Sequence, residues 1–397
     1  MQTQKKILIS LVSFMFFSLF LSVILFMIHV KKTDSIILID DLTCFYREKI
    51  NVSHFIDKMD GELLDDYLVD TSLVGRKRIE IQYKNRYGFV EQKRFDIEVI
   101  DDVAPVIVVN NPYIVKVGEL SNLSDNIFCA DDYDDNIKCR ITGDYDLNKE
   151  GSYSLYIDAV DKSGNRSHQE FVLKVTPDGV NSNKVKDSID FKSIYQKYKN
   201  NNTEIGIDVS KWQGEIDFAK VRQAGVSFVM IKIGGQEDIN SNIVMDPYFE
   251  ENIKKAIDNN LKVGVYFYSH AKNEDNSRKQ ARWVVQMLKK YQISLPVVFD
   301  WENWEHISRY GIGFRSLNKI ASVFIDEVNR NHYEGMLYSS KFYLENVWYH
   351  ESYNNWLAYY TDNNDYQGKY SMWQVCDNAR VDGIDENVDV DVLFKEK

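Results

Sequence analysis

The sequence predicts a multidomain chain: a parallel α/β barrel over residues 204–397, preceded by two all-β modules and one transmembrane helix. Three observations predict it. From Ile205 onward, eight apolar strand-like runs alternate with helical periodicity. Residues 34–176 show period-two alternation with turn signals and an internal repeat. Residues 7–30 contain no Asp, Glu, Lys or Arg. The chain is 397 residues long, and 44% hydrophobic content, 13% of the chain being aromatic, excludes general disorder.

The apolar run Ile7–Val30 would reach about 36 Å as a helix, enough to cross a bilayer. It is longer than the core of a cleaved signal peptide and lacks a small-x-small cleavage site, so an uncleaved anchor is expected. Two lysines flank it on each side, leaving its orientation open by charge.

The repeat aligns Gly75 with Gly151. At the same offset Ile79 falls on Leu155, Ile81 on Ile157, Gly88 on Gly164, Phe95 on Phe171, Ile97 on Leu173 and Val99 on Val175. Each copy reads as two strands joined by a turn, giving β modules at 34–101 and 102–176. Cys129 and Cys139 are spaced such that a disulfide is open to them; Cys44 and Cys376 have no evident partner. Asp125, Asp131, Asp132, Asp134 and Asp135 lack the glycine of a calcium loop and read as a solvated acidic turn. Residues 177–203 turn polar and read as a linker, with a short helix between Asp190 and Lys199.

Barrel strands are expected at Ile205–Ser210, Ser227–Ile233, Lys262–Ser269, Pro296–Glu302, Gly335–Tyr338, Trp356–Tyr360, Tyr370–Val375 and Val388–Leu393. Helical spacing lies between the earlier ones and fades in the last third. In such a barrel the functional site forms at the C-terminal ends of the strands. Those ends carry Asp208, Asp300, Glu302, Asp389 and Asp391. Asp300 and Glu302 share a strand face, about 6.6 Å apart at their bases. A pair of carboxylates, one protonated and one ionised, is what glycosidic cleavage needs. About nine i,i+2 acidic pairs are expected by chance in so acidic a chain. Position after the apolar run Leu295–Phe299 singles this pair out.

Flat rings near strand ends, Trp212, Tyr266, Tyr268, Tyr338, Tyr360 and Trp373, are candidates for stacking on sugars, with Gln374 beside them. His270, His306, His332 and His350 lack metal-ligand spacing and suggest surface positions. No metal or cofactor is expected. The net charge of −12, and a still more acidic body beyond the lysines of residues 1–33, excludes nucleic acid as a natural partner.

Gly206–Gly214 with Ile216-Asp217-Phe218, Phe228–Lys232, Asp246–Phe249, Val263–Tyr268, Leu295–Glu302, Trp356–Tyr360, Met372-Trp373-Gln374 and Gly383…Asp391 together resemble the glycoside hydrolase family 25 lysozymes, in order and over essentially all of 205–397. The resemblance implies an irregular (β/α) barrel that hydrolyses the β-1,4 bond between N-acetylmuramic acid and N-acetylglucosamine in peptidoglycan. It implies Glu302 as proton donor, Asp300 as the second carboxylate, and Asp208 and Asp389 as supporting acids. Phe267 stands where many members have His, and Ile233-Gly234-Gly235 is atypical. Residues 102–176 similarly resemble bacterial immunoglobulin-like repeats, which act as spacers; the first copy matches only in its second half. With peptidoglycan as partner the topology would follow: residues 1–6 cytoplasmic, the helix in the bacterial cell membrane, and the rest facing the wall. The alternative is a surface protein that binds wall glycan without cutting it.

Overall fold

The computed structural model describes residues 13–25, 36–120, 122–123, 127–179, 188–236, 240–302, 311–349 and 353–395. Asp125, His306 and His350 lie outside the described residues, as do 7–12 and 26–30 of the expected anchor. The anchor is corrected here. The described part of the run is a helix over 13–25. Among the described residues no helix is long and apolar enough to cross a membrane. The single-pass cell-membrane location and the membrane as a partner fall with it.

The chain divides into two compact units, Met1–Asp102 and Val103–Lys397. The first contains a four-stranded sheet built on a hairpin, Gly75–Asn85 with Val90–Ile100, and a two-stranded ribbon. The second unit opens with a four-stranded sheet built on the hairpin Gly151–Val160 with Arg166–Thr176, plus the two-stranded ribbon Val106–Val108 with Phe128–Ala130.

The two hairpins repeat in register. Gly75 pairs with Val99 and Ile79 with Phe95; Gly151 pairs with Val175 and Leu155 with Phe171. Alternation buries Ile79, Ile81, Phe95, Ile97 and Val99 in one copy and their counterparts in the other. The turns are anchored alike, Asn85 accepting from the Phe89 N–H and Asp161 from the Asn165 N–H. The immunoglobulin-like expectation is not met. Among the described residues the second module has six strands in a four-plus-two arrangement, and its Tyr113–Lys116 edge strand runs parallel to its neighbour. An immunoglobulin sandwich needs seven or nine strands in two substantial antiparallel sheets.

The rest of the second unit is a closed barrel of eight strands: Thr203–Val209, Phe228–Gly235, Lys262–Tyr268, Val297–Asp300, Gly335–Ser340, Asn355–Ala358, Met372–Arg380 and Val388–Phe394. The first seven run parallel in chain order. The eighth corrects the parallel expectation, closing the ring antiparallel to both the seventh and the first.

Pleat sorts each strand into two faces. Outward, Ile207, Val229, Val265, Phe299, Leu337 and Val390 bury against five helices: Phe218–Gln223, Phe249–Asp258, Glu274–Leu288, Phe314–Arg330 and Lys341–Asn346. Asp217 caps the first of these through the Lys220 N–H and Asn273 caps the third through the Asn276 N–H. The helix Phe191–Tyr198, capped by Asp190, adds Phe191 and Ile194 to the same layer. Inward, Phe228, Met230, Val298, Met336, Trp356 and Met372 fill the barrel. Gly206 faces them because any Cβ there would overlap the Phe228 ring.

Candidate active site

The inward positions one step beyond that apolar plug carry the chemistry. Asp208, Lys232, Tyr266, Tyr268, Asp300, Tyr338, Gln374, Asp389 and Asp391 all follow the inward parity of their strands. The first and last strands set Asp208 directly opposite Asp389 and Gly206 opposite Asp391. The third, fourth and fifth strands set Tyr268, Asp300 and Tyr338 in one rung.

Gln374 connects the two sides. Its Oε1 accepts from the Tyr338 hydroxyl at 2.9 Å and the Tyr360 hydroxyl at 2.8 Å. Its Nε2 donates to Asp208 Oδ2 at 2.7 Å and Asp389 Oδ2 at 3.4 Å. Two donors on one side and two carboxylates on the other fix which way the amide points. Below, Trp356 Nε1 donates to Asp391 Oδ1 at 2.8 Å, and the Trp356 ring meets Tyr266 and Tyr338 edge-on.

Such crowding decides the protonation of the acids. Burial, then the Asp391 charge, pushes Asp208 well above the usual carboxylate range. Burial, then Asp389, does the same to Asp391, against the hydrogen bond from Trp356. Asp389 is pushed up to about 9 by burial first and then by Asp208 and Asp377. Asp208, Asp389 and Asp391 raise one another's pKa, and carboxyls so crowded must hold protons between them.

Asp300 and Glu302 are the second group. Asp300 is buried and raised well above the carboxylate range by desolvation, then by Glu302. Glu302 opens to solvent at the mouth, yet the protein walls around its carboxyl raise it too. Lys232 draws both back down. Its ammonium lies 4.6 Å from the centroid of the Tyr268 ring, on the strand next to the third. Sequence reasoning did not select Lys232, although it ends the apolar run Phe228–Ile231 just as Asp300 ends its own.

Glu302, Tyr338, Tyr343, Tyr359 and Tyr360 line a cleft of about 730 Å³. Tyr343, which was also not selected, stands beside Glu302 and has its hydroxyl pKa raised by burial and by that carboxylate. Trp212 is 73% exposed. Its turn is held by a Ser210–Gln213 capping box and by Asp246, which accepts from the Lys211 N–H at 2.9 Å.

Trp373 is not brought to this site. It lies on the opposite parity from Gln374, packs in the outer layer edge-on to Tyr198, and donates to the Tyr359 carbonyl. Phe267 likewise points outward, against Phe324 and Trp283, so its replacement of His removes no polar group from the cleft. Gly234 and Gly235 sit where the second strand shifts register and pairs with Val244–Met245, whose backbone leaves no space for a Cβ at Gly234. His270 is buried against Tyr268 rather than on the surface. The acidic turn is not solvated either: Asp131 and Asp134 are buried, and Cys129 and Cys139 are disulfide-bonded beside them.

A model of glycosyl hydrolases family 25 matches residues 207–384. The uncharacterized protein YegX of Escherichia coli O6:H1 is 33% identical over 198 residues, 47% of this chain and 68% of its own length. YegX of Escherichia coli K12 is 32% identical over the same shares. Among solved structures, the modular autolysin LytC from Streptococcus pneumoniae, in complex with a synthetic peptidoglycan ligand, is similar at 23% identity and a TM-score of 0.43. That match covers 61% of this chain and 56% of LytC, so the chain spans little over half of LytC's length. A family 25 glycosyl hydrolase from Bacillus anthracis is similar at 21% identity and a TM-score of 0.42, over 51% of this chain and 91% of its own. The family match begins beyond residues 34–176 and lends the immunoglobulin-like reading no support.

Proposed function

The chain belongs to glycosyl hydrolases family 25, and from that premise we propose that it cleaves the β-1,4 bond between N-acetylmuramic acid and N-acetylglucosamine in peptidoglycan. The observation that carries the reading is the Asp300–Glu302 pair at the mouth of the fourth strand, both carboxyls raised by burial and both drawn back down by the Lys232 charge.

Glu302, open to the cleft, is the general acid. Its raised pKa keeps a proton available for the leaving glycosidic oxygen. Asp300 lies deeper, and Lys232 favours its ionised form. Loss of the Glu302 proton to the leaving group adds a second negative charge beside ionised Asp300; the Lys232 charge offsets it, while Asp300 stabilises the developing positive charge at the sugar or orients its 2-acetamido group. Asp208, Asp389 and Gln374 form the supporting wall, and mutual protonation keeps that wall from repelling the reacting pair. Trp212, Tyr266, Tyr268, Tyr338 and Tyr360 supply ring faces and hydroxyls for the glycan.

The test is mass spectrometry of fragments released from purified peptidoglycan by the full chain and by Glu302→Gln. Reducing-end N-acetylmuramic acid from the parent alone supports the reading. Reducing-end N-acetylglucosamine moves the cut to the other bond. Tight wall binding without any release favours a binding protein instead.

A further inference from the structure

The helix Phe314–Arg330 begins at Gly313, which has no side chain with which to cap it. The cap arrives from the second β module, far upstream in the chain. Asp135 Oδ1 accepts from the Gly313 N–H at 2.6 Å and from the Ser316 hydroxyl at 3.2 Å. The Asp131 carbonyl accepts from the Phe314 N–H at 2.8 Å, and the Asp132 carbonyl from the Tyr349 hydroxyl at 3.2 Å. The Arg315 guanidinium lies 5.2 Å from the Tyr133 ring centroid. Phe128 and Ala130 join Ile312 and Phe314 in the outer core of the barrel.

This loop is also held from within its own module. Asp131 Oδ1 accepts from the Tyr133 and Asp134 N–H groups, and Asp134 accepts from the Lys162 N–H and ammonium. The Cys129–Cys139 disulfide closes its base. Gly313 leaves room for it, since a Cβ there would lie 2.5 Å from Asp135 Oδ1 and 2.9 Å from the Asp134 carbonyl.

The capped helix also backs the strand that carries the reacting pair. Phe324 packs on Phe299 at 5.2 Å between centroids and on Phe267 at 6.0 Å. Phe299 is the outward neighbour of Asp300. We infer that the 131–136 loop is a positioning element of the hydrolase site: Asp135 fixes the start of the helix, and the helix sets the fourth strand and so the carboxyls of Asp300 and Glu302. The β module is then a working part of the catalytic body rather than a spacer. The inference rests on the roles given to Asp300 and Glu302 under the proposed function.

The test compares the full-length parent, Asp135→Ala and Asp135→Asn at a temperature where circular dichroism shows all three folded. Hydrogen exchange is followed by mass spectrometry, together with kcat and KM on solubilised peptidoglycan. Asp135→Ala is expected to lower kcat about fivefold, the size of one lost cap, with KM nearly unchanged. It should also speed exchange both in the first turn of the helix and at residues 297–300. Asp135→Asn keeps the acceptor oxygen and should restore both. Exchange at 297–300 equal to the parent's overturns the inference, whatever the activity. An inactive parent sinks the muramidase reading instead, and the exchange arm still decides the coupling.

Discussion

Asp389 carries a cost that a single substitution should expose. Its carboxyl sits at about 9 in the folded chain and returns to about 3.8 on unfolding. Between those values the unfolded chain has released a proton that the folded chain keeps. Stability of the parent therefore falls as pH rises through that window, by about 1.4 kcal/mol per pH unit. At about pH 7 the loss is on the order of 4 kcal/mol, an upper bound because Asp208 and Asp391 compete for the same protons. Asp389→Asn keeps the shape and the neutral state without an ionisable group. It should be more stable than the parent at about pH 7, by up to roughly 10 °C in melting temperature, and its advantage should vanish near pH 4. All seven tryptophans lie at position 212 or later, so tryptophan fluorescence during heating reports the barrel alone. An equal gain at both pH values, or a loss at pH 7, would refute the argument that proton crowding destabilises this wall.

Three further outcomes follow from the same geometry. Lys232→Met removes the cation that lowers Asp300 and Glu302, so both limbs of the pH profile of kcat/KM should move to higher pH; an unmoved profile would separate Lys232 from the pair. Trp212→Ala should raise KM by about two- to tenfold through lost ring stacking. Its melting temperature should barely change, because the side chain is 73% exposed. Gly206→Ala forces a methyl into the Phe228 ring and should cost about 1–3 kcal/mol in chemical unfolding.

Much of the barrel was legible because each strand is a continuous apolar run, the signature of burial on both faces. Strand direction is not written in that pattern, which is why the eighth strand was expected to be parallel. The expected strand ends at Val375 and Val388 left twelve residues for a crossover; the seventh strand in fact runs on to Arg380, leaving only residues 381–387, too few for a parallel connection. Trp373 could also have been excluded from the site, since adjacent residues of a strand point to opposite faces and Gln374 was the better inward candidate. The carboxyl pair was legible from its place after Phe299. The Asp135 cap was not, because no local pattern links an acidic turn to a glycine 178 residues away. The anchor was read from hydropathy over residues partly outside the described structure, and no helix among the described residues is long and apolar enough to cross a membrane.

The antiparallel return of the last strand has a practical consequence. Thr203 and Phe394 form one register pair, which places the two ends of the barrel roughly 5 Å apart. A body whose ends nearly touch can be excised and spliced into a surface loop of another protein without stretching its host. It can equally be re-ordered, by joining those ends through a short glycine linker and opening the chain at the Asn259–Asn260 turn, where Asn260 is exposed. The barrel is therefore a transplantable cassette, provided that the graft keeps the neighbours that hold its helices in place.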